Sequence, residues 1–297
     1  MPGKTSHTSK KESSRKKSDT ASVSNIAIQG YEGSFHQEAA QLYFGNEINI
    51  LPCDSFRTLI KSVSHDENTT AAVMAIENSI AGSILPNYNL ILNSDLQITG
   101  EIYLHIQQQL LVNPGVRLED IREVHSHPMA LLQCIDFLES QPHWKLVETE
   151  DTALSAKHIH QYHHKHAAAI AGKLAASLFG LEILAENIHS AANNYTRFLI
   201  LHKKDSMPIP EGANKASVNF YTSHTKGALA QVLSIIAEHW INLSKLQSMP
   251  IPQNQWTYSF HVDMEFDDIS QFEAALEEMS GYTEGIKVLG IYKNGKK

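Results

Sequence analysis

Four short polar stretches hold the side chains that could do chemistry. Gly30-Tyr31-Glu32-Gly33-Ser34 joins two glycines to a serine. The glycines let the backbone approach a ligand, and a helix opening at Ser34 offers N–H groups to an anion. The same stretch also reads as a plain tight turn. Glu77-Asn78-Ser79, with Gly82-Ser83 behind it, supplies amide and hydroxyl groups without positive charge, or else a turn and a helix cap. In His125-Ser126-His127-Pro128 the serine can donate to a carboxylate, or it or His127 can cap a helix that carries Gln133. No Gly-x-Ser-x-Gly elbow surrounds Ser126, which argues against a nucleophile. Asn194-Tyr195-Thr196-Arg197-Phe198 offers Thr196 to a substrate hydroxyl and Arg197 to a carboxylate, unless Arg197 is tied to a neighbouring acid.

Histidines raise a separate possibility. His158, His160, His163, His164 and His166 fall within nine residues, and on a helix His160 and His164 stand at i, i+4, where both can face a metal. No cysteine or carboxylate completes that set locally, so a solvated helix end is the simpler reading. Cys134 lies beside an apolar helix face and packs rather than reacts.

Secondary structure must bring these stretches together. Asn25–Gln29 reads as a buried strand. Ser34, with Gln37 three residues on, opens a helix with Phe35, Ala39, Leu42 and Tyr43 on one face and Gly45 as its stop. Ser55 caps a second helix, residues 71–76 form a buried strand, and Leu85–Leu92 form a helix. Apolar and polar residues alternate from 102 to 110 as one long strand. Residues 121–125, 145–149, 167–170 and 197–201 are further strands, with helices opening at Pro128 and Thr152 and another ending at Phe179. This rhythm predicts an α/β domain with mainly parallel sheets over 25–203, in which ligands bind beyond the carboxyl ends of strands. A linker rich in Pro, Gly and charge at 204–215 precedes a βαββαβ pattern, the ferredoxin-like order, over 216–297.

Composition sets the outer bounds. At 42% hydrophobic residues in 297, the chain can bury a proper core. A net charge of −8 gives no general attraction to nucleic acid or to an anionic membrane. Residues 1–24 carry six Lys/Arg against Glu12 and Asp19 with almost no aliphatic side chains, so they read as a disordered basic tail. Cys53 and Cys134 are too few for a disulfide framework. No apolar run approaches the ~18 residues that span a bilayer, and the N-terminus lacks the apolar core of a secretory signal. These features point to the cytoplasm, with no membrane or nucleic-acid partner.

Taken together, the four stretches resemble the prephenate dehydratase family, from about Asn25 to the C-terminus. The resemblance rests on Gly-x-x-Gly-Ser at 30–34, Ile-Glu-Asn-Ser and the following Gly-Ser at 76–83, and Ser-His-Pro at 126–128. Gln133-Cys134, Gly180-Leu181 and Asn194-x-Thr-Arg-Phe extend it, with Thr196-Arg197-Phe198 the most specific marker. The C-terminal part resembles the ACT domain of these enzymes: Gly227-Ala228-Leu229-Ala230 matches one signature, and Gln247-Ser248-Met249-Pro250 matches a second in Ser248 and Pro250 but departs at Gln247 and Met249. No chorismate mutase domain precedes residue 25, so the resemblance is to the monofunctional form.

The resemblance implies a catalytic domain of type II periplasmic-binding-protein-like fold, with the chain crossing between two lobes near Gly100 and again at 185–193. It implies decarboxylative dehydration of prephenate to phenylpyruvate without metal or organic cofactor. Asn78, Ser126 and Gln133 are then donors around the ring carboxylate, Thr196 meets the departing hydroxyl, and Gly33, Ser34, Ser79, Asn194, Arg197 and Phe198 complete the binding set. Neutral donors suit a carboxylate that must leave, because stabilising it equally throughout would tighten binding without raising the rate. Phenylalanine is the implied effector, at Gly227, Ala228, Leu229 and Gln247, Ser248, Met249, Pro250, within a homodimer or homotetramer. Arogenate as substrate, a non-enzymatic two-lobed binding protein and a histidine-cluster metalloprotein are the competing readings.

Overall fold

The computed structural model describes residues 24–251 and 258–296. The expected basic tail, apart from Ser24, lies outside the described residues, as do Trp256 and Thr257 of the strand expected from 256. In chain order the elements are β1 (Asn25–Gln29), α1 (Phe35–Phe44), β2 (Asn49–Cys53), α2 (Phe56–His65), β3 (Thr69–Asn78), β4 (Gly82–Ser83), α3 (Leu85–Leu92) and β5 (Leu96–His105). There follow β6 (Gln109–Val112), β7 (Glu123–Ser126), α4 (Pro128–Gln133), α5 (Ile135–Glu139), β8 (Lys145–Glu148), α6 (Thr152–Gln161), β9 (Ala167–Ala171), α7 (Lys173–Phe179) and β10 (Glu182–Ala185). The chain then returns as β11 (Tyr195–Lys203) and ends in β12 (Lys215–Tyr221), α8 (Ala228–Glu238), β13 (Asn242–Pro250), β14 (Tyr258–Glu265), α9 (Ile269–Ser280) and β15 (Gly285–Tyr292).

Three sheets result among the described residues. The first lobe has the order β2-β1-β3-β11-β5, with the short β4 on β3; the second has β10-β6-β9-β7-β8. Both are mixed rather than mainly parallel. In the first, β11 runs antiparallel to β3 and β5; in the second, β6 runs antiparallel to β9 and β10. The returning strand β11 comes from the far lobe and inserts against β3, a placement that helix-strand alternation does not encode. The third sheet, β13-β14-β12-β15, is antiparallel throughout. One face of it packs on α8 and α9 around Val218, Phe220, Ile236 and Phe272. The other face lies against the first lobe, where Met249, Leu289 and Tyr292 join Leu59, Met74, Leu96 and Leu199 in one core.

Local chemistry fixes the helix starts that surround the crevice. Ser34 accepts from the Gln37 N–H and the Gln37 side chain accepts from the Gly33 N–H, a reciprocal cap on α1. Asp151 caps α6 by accepting from the Leu154 N–H. The Ala-rich β9 is buried along its whole length, as a strand covered on both faces must be.

The chain does not cross between lobes at Gly100. That residue sits inside β5, opposite Ile200, and its lack of a Cβ makes room for the Tyr43 ring. The alternating run expected as one strand from 102 to 110 is instead β5 and β6 in different sheets, joined through Ile106, Gln107 and Gln108. The returning segment runs alongside: the Ile106 N–H donates to the Asn194 carbonyl and the Ile188 N–H to the Gln108 carbonyl. Two extended connections thus form the hinge.

Candidate active site

A cavity of about 290 Å³ opens between the lobes, lined by Ser34, Phe35, His36, Asn78, Gln108, His127, Gln133, Glu150, Asp151, Thr196 and Phe198, among others. It lies where β3 and β7 end and where α1, α4 and α6 begin, as the strand-end rule requires. Larger cavities, of about 880 and 580 Å³, border the C-terminal unit and hold none of the loop residues from the catalytic stretches.

Thr196 and Asn78 are opposite one another in the β11–β3 ladder, and their side chains reach the same cavity. A bulge makes this possible. Register shifts so that Arg197 opposes Glu77 while Phe198 opposes Ala75, leaving Ile76 as the extra residue. Simple alternation would put Ala75 and Asn78 on opposite faces; the extra residue puts both into the cavity.

One chain of amides then fixes every donor direction. The Asn78 Oδ1 accepts from the N–H groups of Ile80 (3.0 Å) and Ala81 (2.9 Å), so its NH₂ must face the other way. That NH₂ donates to Thr196 Oγ1 at 3.0 Å and to Asn194 Oδ1 at 2.7 Å. Asn194, fully buried, must therefore present its own NH₂ to Gln133, and it does so at 3.0 Å on Oε1. Two ends remain: the Thr196 hydroxyl hydrogen and the Gln133 NH₂ have no partner among the described residues. Both groups line the cavity, so both can donate to a ligand.

Other members of the expected set lie elsewhere. Ser126 is fully buried, and its hydroxyl donates to the Ile170 carbonyl at 2.7 Å, which ties β7 to β9 rather than facing the cavity. Arg197 follows Thr196 in a strand and so points to the opposite sheet face. There it donates to Glu101 at 2.6 Å, to Asp263 and to the Tyr292 hydroxyl at 3.1 Å, all buried. Its guanidinium is thus held on the face away from the cavity. Ser79 accepts from the Tyr195 N–H and donates to the Asn193 carbonyl, stapling the end of β3 to the returning segment. The Gly33 N–H is taken by Gln37, so it is not offered to an anion; at φ 86° its open side abuts Ala175 of the other lobe. Ser34 and Phe198 do line the cavity.

Several lining residues were not singled out from the sequence. His36 is packed beside Phe56 and Phe198, and burial drives its pKa down to about 3, so it is a neutral ring. Gln108 is buried in the hinge with its Oε1 unpartnered. Glu150 accepts from the Tyr31 hydroxyl at 2.8 Å, joining the lobes across the mouth. Burial pushes the Asp151 carboxyl up, against its cap bonds to Leu154 and Ala153. A run of three glutamines inside an apolar stretch, at 107–109, was the available signal for the hinge.

The histidine cluster does not form an i, i+4 pair. Helix α6 ends at Gln161, and His163 takes a left-handed φ of 48°, so His164 leaves the helical face of His160. No three His, Cys, Asp or Glu side chains group for a metal among the described residues. Cys134 is buried in the second lobe's core, with its thiol pushed up to about 12 by burial. Among the described residues, no helix is long and apolar enough to cross a membrane.

Comparison with known proteins supplies the family. Residues 26–206 match the prephenate dehydratase family. A relative from Arabidopsis thaliana, the chloroplastic arogenate dehydratase/prephenate dehydratase 2, is 36% identical across 92% of this chain and 75% of its own. A solved prephenate dehydratase from Arthrobacter aurescens, in complex with L-Phe, superposes with a TM-score of 0.82 at 28% identity, covering 91% of this chain and 90% of that one. A quorum quenching acylase, GqqA, also superposes, with a TM-score of 0.81 at 31% identity over 91% and 97% of the two chains. On the matched stretch, which spans both lobes and the hinge, this chain belongs to the prephenate dehydratase family.

Proposed function

We propose that the cavity between the lobes performs the family reaction on prephenate, with Thr196 at the departing hydroxyl, Gln133 at the ring carboxylate, and Asn78 orienting both through the amide chain. The ring carboxylate leaves as carbon dioxide, and its bonding electrons enter the ring. The double bonds shift, the carbon–oxygen bond at the far ring carbon breaks, and one proton converts the departing hydroxyl to water. Phenylpyruvate remains.

The observation that carries this reading is the amide chain from Ala81 and Ile80 to Gln133, which leaves two neutral donors, Thr196 and Gln133, aimed into one cavity. No lysine or arginine lines that cavity among the described residues. Neutral donors hold a carboxylate without trapping it, so they need not oppose its loss. The starts of α1 and α6 add partial positive charge without a fixed cation. A threonine hydroxyl is a weak acid, so Thr196 orients and polarises the leaving group; Asp151 lines the same cavity, and burial pushes its carboxyl up. Scaffold likeness to an acylase does not choose the reaction, since one fold hosts several chemistries; the donor set does.

We read the C-terminal βαββαβ unit, from 216 onward, as an ACT-type effector domain that binds phenylalanine. The ends of β12 and β13 lie level in the sheet, since Tyr221 and Met249 both oppose Ser259. The turn through Gly227 and the segment 247–250 therefore emerge at the same sheet end. Gly227, Ser248 and Pro250 are exposed there. Met249, in contrast, is buried in the first lobe's core, and Leu229 packs inward against α8's own core, so neither presents its side chain to an effector. Association of such domains in a homodimer or homotetramer would complete the effector site, and free buried thiols at Cys53 and Cys134 suit a reducing cytoplasm. The experiment is phenylpyruvate formation from prephenate, and from arogenate the corresponding phenylalanine, across a phenylalanine titration. Turnover of prephenate that phenylalanine lowers supports both halves. Turnover without any response removes the effector role, and no turnover of either compound removes the enzymatic one.

A further inference from the structure

The two residues that meet in the cavity have neighbours on the opposite face of the same ladder, and both neighbours are gripped by the C-terminal unit. Asn78 opposes Thr196, while the adjoining pair is Glu77 opposite Arg197. Lys245 of β13 donates to Glu77 Oε1 at 2.6 Å and to Ser83 Oγ at 2.6 Å. Asp263 of β14 accepts from Arg197 and also from Ser217 at 2.6 Å. Lys245 and Asp263 are themselves opposed in the β13–β14 ladder, so one cross-strand pair of the C-terminal sheet holds one cross-strand pair of the catalytic sheet.

The grip on Arg197 is deeply buried. The Arg197, Glu101, Asp263 and Lys215 side chains are each 5% exposed or less, and their charges balance. Burial opposes ionisation of Asp263, yet the Arg197 guanidinium and His261 hold its carboxyl well below the usual carboxylate range. A one-residue move of β3 against β11 cannot occur without breaking these contacts. The bulge at Ile76 disrupts the ladder beside this pair, which is where an external hold matters most.

We infer that Lys245 and Asp263 are positioning residues for catalysis: by holding Glu77 and Arg197 from behind, they set the alignment of Asn78 with Thr196. The C-terminal unit is then part of the machinery that forms the site. Lys245 lies two residues before Gln247, so movement of the 247–250 segment reaches Asn78 through two side chains. This rests on the dehydratase reading above.

The test uses the full chain and compares Lys245→Met with Lys287→Met. Lys287 joins the same two units by donating to the Leu92 carbonyl at 2.5 Å, but it touches neither catalytic strand. Lys245→Met should lower kcat on prephenate about tenfold with KM within about twofold, whereas Lys287→Met should lower Tm and leave kcat unchanged. In an Asn78→Ala background, Lys245→Met should have almost no further effect on kcat, since it acts through Asn78. The exchange Glu77→Lys with Lys245→Glu should recover most of the loss of either single change. A second readout needs no turnover: the Thr196 methyl NMR resonance should shift in Lys245→Met and not in Lys287→Met. Unchanged kcat and an unmoved Thr196 methyl in a folded Lys245→Met protein overturn the inference, as does a loss of kcat that simply multiplies with Asn78→Ala. Failure of the wild-type chain to use prephenate would sink the dehydratase reading alone, because the methyl shift still decides the coupling.

Discussion

Thr196 and Arg197 are adjacent in β11 yet serve opposite faces of one sheet: the Thr196 hydroxyl opens into the cavity, while the Arg197 guanidinium is enclosed by Glu101, Asp263 and Tyr292. A strand imposes this division on any consecutive pair. It follows that Arg197→Met should act on stability. Removing one partner of a buried ion cluster costs about 3–5 kcal/mol, because the carboxylates stay buried and uncompensated. Thermal unfolding should show a marked fall in Tm, and KM for prephenate should hold at temperatures where the variant is folded. A rise in KM at unchanged Tm would return Arg197 to the substrate.

The amide chain makes Asn78 and Thr196 one functional unit. Asn78→Ala and Thr196→Ala should each lower kcat by about 10²-fold, the scale for losing an oriented donor. The double variant should fall little below either single one, because groups acting together are strongly non-additive. Losses that multiply in the double variant would show that the two residues work independently.

The loop at 30–34 brings the lobes into contact. Gly33 has φ 86°, and a Cβ there would come within 3.1 Å of the Ala175 backbone; Gly115 has φ 82° with open space around it. Gly33→Ala should therefore cost more than the ~1–3 kcal/mol of backbone strain alone, and it should also raise KM by holding the cleft open. Gly115→Ala reports the strain by itself. Equal Tm and KM changes in the two variants would show that the lobe contact at Gly33 has no effect.

His36 gives a pH signature. Burial lowers its folded pKa to about 3, against an ordinary value of 6.5. Between those values the unfolded chain takes up a proton that the folded chain refuses, so stability falls as pH drops from about 6.5 towards 3. The slope from this one group is up to about 1.4 kcal/mol per pH unit. Unfolding titrations across that window should show a shallower acid slope for His36→Gln than for the wild-type chain. Identical slopes would mean that His36 is protonated in the folded protein.

Much of the site was legible because polar residues stand where strands and helices begin or end: Asn78, Thr196, Gln133 and Ser34 all reach the cavity. What the sequence could not convey was the face each residue takes. Arg197 and Ser126 fall within the right stretches, but pairing with the C-terminal sheet and with β9 turns them away. The bulge at Ile76 reverses the parity that alternation implies, and no residue type announces it. The resemblance put a crossing near Gly100, and alternation that runs unbroken through Ile106 hid the change of sheet at 106–108. His36, Glu150 and Asp151 also line the cavity, and nothing in their local sequence set them apart.

The account stands on Thr196 meeting a departing hydroxyl. The direct measurement is steady-state formation of phenylpyruvate from prephenate by the wild-type chain and by Thr196→Ala, with Tm recorded for both. The prediction is a kcat about 10²-fold lower in the variant, with KM and Tm close to wild type. A Thr196→Ala protein that turns over prephenate as fast as the wild-type chain would contradict it.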